Sequence, residues 1–209
     1  MKIEKIPAAT MGWLETKLDT EHVKWLWERI DEGGSDLKHQ LAGNITTSFL
    51  IDDKDDWFFS NVLMKHVLAY RNANNGQDPI RNFALGQLEL KLHDMWVNYQ
   101  YQHEINPYHH HGGVYSFTIW LKIPYDCMEQ NKLSHLNGCQ EEYKKPGIFE
   151  FEFQDMLGEI RHFGYRLDQS FEGKMLFFPA ALRHTVYPFY ECEEPRISIA
   201  GNIWYKPTR

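Results

Sequence analysis

Residues 116–123 read Ser-Phe-Thr-Ile-Trp-Leu-Lys-Ile, and their alternation decides the fold class. Side-chain direction in an extended chain repeats every two residues, so Phe117, Ile119, Leu121 and Ile123 share one face and Ser116, Thr118, Trp120 and Lys122 the other. Further short strands are predicted at 94–102 (DMWVNYQYQ), 149–153 (FEFEF), 160–167 (IRHFGYRL), 174–178 (KMLFF) and 196–204 (RISIAGNIW). Short strands in succession without intervening helices predict an antiparallel sandwich or barrel, of which the jelly roll is one form.

Upstream the period changes. In TEHVKWLWERID (20–31), Val23, Leu26, Trp27 and Ile30 fall at the i, i+3, i+4, i+7 spacing of an amphipathic helix. A second helix is expected to begin at Asp55 or Asp56, either of which can cap its free amides, and to run to about Asn72. It would bury Phe59, Val62, Leu63, Val67 and Tyr70 and stop at Asn74-Asn75-Gly76. The chain therefore reads as one domain over 1–209, mostly β with N-terminal helices: a helical support over 1–82 packed on a β core over about 83–206. The segment 126–147 has little apolar periodicity and reads as a long loop, a length often used for a lid.

With 13 Phe, 11 Tyr and 7 Trp the chain has ample material for a core. Its net charge of −7, with 22 basic residues scattered among 29 acidic ones, argues against a general nucleic-acid binder. Cys127, Cys139 and Cys192 form no CxxC pair, so neither a disulfide framework nor a zinc ribbon is indicated and a reducing cytoplasm fits. The first residues hold no uninterrupted apolar run, and no stretch is long enough to span a bilayer, so no membrane role is expected. Asn44-Ile45-Thr46 matches a glycosylation acceptor by chance and carries no weight.

The chemistry is concentrated in His109-His110-His111, a distant His184, and Arg196-Ile197-Ser198. Two histidines one residue apart on an extended segment point to the same side, and a third from far along the chain would close a coordination set. All-imidazole sites suit iron, copper, nickel or zinc. Arg196 and Ser198 share one face of the last strand. If that face is inward, the arginine needs an anion, and a dicarboxylate meets the need.

NPYHHHGGVYSFTIWLKIP (106–124), KMLFFPAALRHTVYPF (174–189) and RISIAGN (196–202) together resemble the 2-oxoglutarate/Fe(II)-dependent dioxygenase superfamily. Within it the chain resembles a group of small oxygenases, many of them found in bacteriophage genomes, and the likeness covers about residues 90–206. The resemblance implies a double-stranded β-helix with helices on its outer face. It implies His109, His111 and His184 as Fe(II) ligands, with Arg196, helped by Ser198, on the distal carboxylate of 2-oxoglutarate. Asn98, Tyr99 or Tyr101 could line the same pocket. The implied reaction uses O2 to hydroxylate an unidentified substrate, a small molecule or a protein side chain, while 2-oxoglutarate is converted to succinate.

One departure stands out: most of the superfamily places a carboxylate where this chain has His111. Three ligand sets are open. The first is three histidines; the second is His110 and His184 with Gly112 at the carboxylate position, as in related halogenases; the third recruits a carboxylate such as Glu104. A cupin-type metal protein that does not use 2-oxoglutarate is the alternative class, since Gly173 to His184 approximates a cupin motif. The glutamate of the first cupin motif is absent from 112–117, which read GGVYSF. His103, His135 and His162 read as isolated surface or hydrogen-bonded histidines, and Trp57-Phe58-Phe59 as part of a helix packed on the sheet. Tyr115 and Trp120 are either strand core or pocket wall.

Overall fold

A computed structural model describes residues 12–37, 43–80 and 88–206; the boundary expected near residue 83 lies outside them. The strands are β1 (Leu14–Lys17), β2 (Thr47–Leu50), β3 (Leu90–Gln100), β4 (Asn106–His109), β5 (Tyr115–Lys122), β6 (Phe149–Gln154), β7 (Ile160–Tyr165), β8 (Lys174–Pro179), β9 (Arg183–Val186) and β10 (Arg196–Tyr205). The helices are α1 (Thr20–Asp31), α2 (Met64–Ala73) and the short α3 (Cys127–Gln130). The strands form two antiparallel sheets, a larger one ordered β1-β8-β5-β10-β3-β2 and a smaller one ordered β4-β9-β6-β7, in a jelly roll.

The two faces of β5 explain the layering. Phe117, Ile119 and Leu121 join Val97, Met175, Phe177 and Ile199 in a core cluster that Leu26 of α1 and Leu63, Val67 and Tyr70 of the second helical segment cover from outside. The opposite face, with Ser116, Thr118 and Trp120, is also buried. It looks inward between the sheets, where Trp120, Phe149, Phe151, Leu176 and Phe178 form a second cluster. Ile123 departs from the alternation: it lies past the end of β5 and packs in this second cluster.

Three expectations need correction. The N-terminal third is not purely helical, because β1 pairs with β8 and β2 with β3 as the edge strands of the large sheet. Four residues are too few for a period to be read. The second helix is not capped by Asp55 or Asp56, which adopt left-handed φ of 58° and 52°. Asp53 instead accepts from the backbone N–H of Phe58 (2.7 Å) and Phe59 (2.8 Å). A π-helical turn at Phe59–Leu63 then leads into α2. The wider turn shifts the helical phase, so Phe58 is fully buried while Phe59 is only partly so.

The loop at 126–147 is folded rather than open. Cys127 Sγ donates to Pro146 O (2.7 Å), and Gln130 and Tyr190 exchange hydrogen bonds of 2.9 and 2.8 Å between side chain and backbone. None of the loop's residues lines the central cavity. No helix of the described residues is long and apolar enough to cross a membrane.

A candidate metal centre in the central cavity

Between the sheets lies a cavity of about 790 Å3. Its floor comes from alternate residues of adjacent strands of the large sheet: Asp94, Trp96, Asn98 and Gln100 on β3, Arg196, Ser198, Ala200 and Asn202 on β10, and Thr118 and Trp120 on β5. Polar residues on a strand usually face water. Here the hydrophobic faces are taken by the helices, so the polar faces turn into the molecule.

The histidines come from the opposite sheet. His109 closes β4 and stands in register with His184 of β9. His111 follows one step beyond, tied by its backbone N–H to Ala180 O at 2.9 Å. Gly113 then turns the chain into β5 at φ +99°, where a Cβ would lie 2.8 Å from Ile203 O, so only glycine fits. Among the described residues, His109, His111 and His184 alone form a set whose ligand atoms all lie within 4.8 Å of one another.

The tautomers follow from the hydrogen bonds. His109 Nδ1 lies 2.7 Å from Pro107 O, and His184 Nδ1 lies 3.0 Å from Leu182 O. A carbonyl only accepts, so each Nδ1 carries the proton and each Nε2 is left unprotonated, with Asn106 Nδ2 3.4 Å from that of His109. His111 Nε2 is 3.2 Å from His184 Nε2. Two nitrogens about 2.1 Å from one metal ion, at right angles, stand about 3 Å apart. The spacing and the convergent lone pairs fit a metal ion.

Burial keeps these rings neutral. His184, 4% exposed, is packed against Phe149, Phe151 and Phe178. Desolvation first, and the adjacent imidazoles second, hold its pKa well below the ordinary value. The same causes push His111 down to about 3, and burial lowers His109. A neutral imidazole is the form that binds metal.

The other ligand sets do not assemble. His110 is exposed and outside the cluster. Glu104 is buried but engaged elsewhere: it accepts from Thr46 N (3.0 Å), Thr46 Oγ1 (2.6 Å) and Tyr101 N (2.9 Å), bracing the turn after β3.

Arg196 is 1% exposed and lines the same cavity. Its guanidinium donates to Tyr125 Oη, to Gly147 O (3.3 Å) and to Gln100 Oε1. None of these partners is charged. No carboxylate among the described residues lies in ion-pair range of Arg196. An uncompensated buried cation is costly, so the arrangement suits an anionic ligand. Ser198 lies two residues along the same floor, and Asn98, in register with it, has its Oδ1 held by Ser48 Oγ at 2.9 Å.

Tyr101 is a correction. It sits beyond the end of β3, 39% exposed and outside the cavity lining, because the chain turns at 101–104. Tyr99 faces the helix-covered cluster, in edge contact with Phe49. Two residues were missed. Gln100 was legible, being two positions from Asn98 on the same face. Tyr125 follows β5 in a segment with no period and offered no signal. Trp120 is a cavity wall, whereas Tyr115 belongs to the helix-side core.

Residues 94–202 match the profile of a family described as "Putative 2OG-Fe(II) oxygenase". The fold is similar to that of a prolyl-4-hydroxylase from Pseudomonas putida, with TM-score 0.52 and 14% identity over 95% of each chain. A prolyl hydroxylase from Trichoplax adhaerens, solved with a peptide fragment of hypoxia inducible factor, gives TM-score 0.49 and 11% identity over 94% of this chain and 84% of that one. No curated protein matches.

Proposed function

The chain belongs to the 2OG-Fe(II) oxygenase family, and from that premise we propose that it is a hydroxylase whose His109, His111 and His184 hold Fe(II). In this reading Arg196 binds the distal carboxylate of 2-oxoglutarate, with Ser198 and Asn98 beside it. Gln100 and Tyr125 hold the guanidinium in place from either side. Bound Fe(II) would supply the chemistry by which 2-oxoglutarate gives carbon dioxide and succinate, whose new carboxylate takes one oxygen atom of O2, while the other atom enters a substrate C–H bond as hydroxyl.

The observation that carries the reading is Arg196: a buried charge without a counter-ion, in the cavity that also holds three convergent neutral histidines. Neutral ligands leave the bound cation its full charge, which favours a dianion. The aromatic packing around His184 restricts water on that side. A cupin-type metal protein would use the histidines but leave the arginine without a role.

The test is spectroscopic. Purified protein mixed with Fe(II) and 2-oxoglutarate without oxygen is expected to show the weak visible charge-transfer band of a chelated keto acid. Bound iron without that band overturns the proposal.

A further inference from the structure

The cavity floor has two ends of opposite character. Gln100 and Arg196 mark one end, and Asp94, paired in register with Asn202, marks the other. Gln100 lies six positions beyond Asp94 on β3, roughly 20 Å along an extended strand. Trp96 lies between them, and its ring packs 5.7 Å from that of His111. His111 therefore stands over the floor on the Asp94 side of its middle, and the Asp94 end is the part that a keto acid reaching to Arg196 leaves open.

That end is chemically incomplete. Asp94 Oδ1 is buried with no hydrogen-bond partner. Trp96 is 5% exposed, and its indole N–H likewise has no acceptor. An unpaired acceptor and an unpaired donor two residues apart on one face each carry a desolvation cost, which a ligand supplying both complements would offset. Their charge surroundings favour a cation. Asp52 also lines the cavity, and among the described residues the one Lys or Arg that lines it is Arg196 at the far end. Burial pushes the Asp94 carboxyl above its ordinary range, with Asn202 and His93 opposing; a cationic partner would relieve that cost.

We propose that Asp94 and Trp96 form the substrate subsite, and that it takes a compound bearing an ammonium or guanidinium group, donating to Asp94, with a carbonyl or hydroxyl oxygen nearby to accept from Trp96 Nε1. The inference rests on the cosubstrate reading above, because it assigns Arg196 to the keto acid and leaves this end to the substrate. An anionic substrate would meet two aspartates and, among the described residues, no Lys or Arg left to pair with it.

L-Argininamide is the probe, a cation with a carbonyl oxygen and no carboxylate to compete at Arg196. Titrated by calorimetry into protein loaded with Fe(II) and 2-oxoglutarate under anaerobic conditions, it is expected to bind, while N-acetylglycine at the same concentration gives no heat. Asp94→Asn is expected to weaken binding at least tenfold, and Trp96→Phe about fivefold. If Asp94→Asn fails to fold, Trp96→Phe carries the test. Acetyl-Ala-Arg-Ala-amide forms a second arm, and tighter binding of it or of argininamide points to a polypeptide or to a free metabolite as the natural source. No binding of either cation, unchanged affinity in the variants, or preferential binding of N-acetylglycine overturns the subsite. The charge-transfer band is recorded in the same samples. A band with unchanged variant affinities overturns the subsite alone, whereas bound iron without a band overturns the cosubstrate reading.

Discussion

His109 and His184 face each other across the β4–β9 pairing, their ring centroids 4.3 Å apart, and His111 reaches the same point from one step beyond the strand. Because each of His109 and His184 has its Nδ1 tied to a backbone carbonyl two residues earlier, the convergence is built into the strands. Single replacement of His109, His111 or His184 by Ala is expected to lower bound Fe(II), measured by equilibrium dialysis, at least tenfold. His110→Ala is expected to leave it unchanged. Loss on replacing His110 and His184, but neither His109 nor His111, would restore the ligand set in which Gly112 stands at the carboxylate position.

Glu104 separates a structural carboxylate from a ligand. It accepts three hydrogen bonds at the turn after β3. Glu104→Gln weakens these charge-assisted bonds and is expected to lower the free energy of unfolding by about 1–3 kcal/mol. Iron stoichiometry of the folded variant should remain that of the wild type. A folded Glu104→Gln protein that no longer binds iron would put the carboxylate back in the ligand set.

Metal should stabilise the fold, because the histidines come from separate segments that an unfolded chain does not bring together. Free Fe(II) at a hundred times its Kd contributes about 2.7 kcal/mol. For a chain of this size that corresponds to an increase in Tm of roughly 5–11 °C. Differential scanning calorimetry with and without Fe(II), followed by a chelator, should show the increase and its reversal. No change in Tm would mean that the cluster does not take the ion.

The strands that build the cavity floor were legible, and its orientation was not. The period of two in β5 and β10 separates Phe117 and Ile199 from Thr118 and Arg196, but alternation alone does not say which face a helix covers. The histidines and Arg196 stood out because those residue types need partners wherever they are buried. Tyr125 and Trp96 did not, since Tyr125 lies past β5 in a segment without a period and a tryptophan on a strand has ordinary reasons to be there. The edge strands β1 and β2 were hidden by their length, and the true cap Asp53 by the two aspartates that follow it.

Asp78 ties the segment after α2 to the large sheet, accepting from Arg71 Nε (2.7 Å) and Nη2 (2.8 Å), from Tyr115 Oη, and from Tyr205 Oη (3.0 Å). Burial raises its pKa, but these donors and the Arg71 charge outweigh it and hold the carboxyl below 3.8. A carboxylate depressed in the folded state contributes stability that is present above about 3.8 and lost as pH falls through the lower folded value. Asp78→Asn is expected to cost about 2–4 kcal/mol in urea unfolding at pH 7. The gap between variant and wild type should narrow as the pH is lowered below 3.8. A gap independent of pH would mean that the charge on Asp78 contributes nothing.

Arg196 allows a binding role to be told from a structural one. Its donors go to Gln100, Tyr125 and Gly147, none of which neutralises the charge, so in the absence of an anion the guanidinium is a burden on the fold. Arg196→Met removes that charge while filling much of the space. The ligand-free variant is therefore expected to unfold at a Tm equal to or above the wild type's, within the cost of freeing Gln100 Oε1. A charge-assisted bond to a carboxylate is worth about 1.5–3 kcal/mol, so the Kd for 2-oxoglutarate should rise roughly 10- to 150-fold. Arg196→Lys keeps the charge but not the two-armed geometry and should fall between. Iron binding should be unchanged in both. A variant that is strongly destabilised yet binds 2-oxoglutarate as tightly as the wild type would make Arg196 a structural residue and leave the anion site without its anchor.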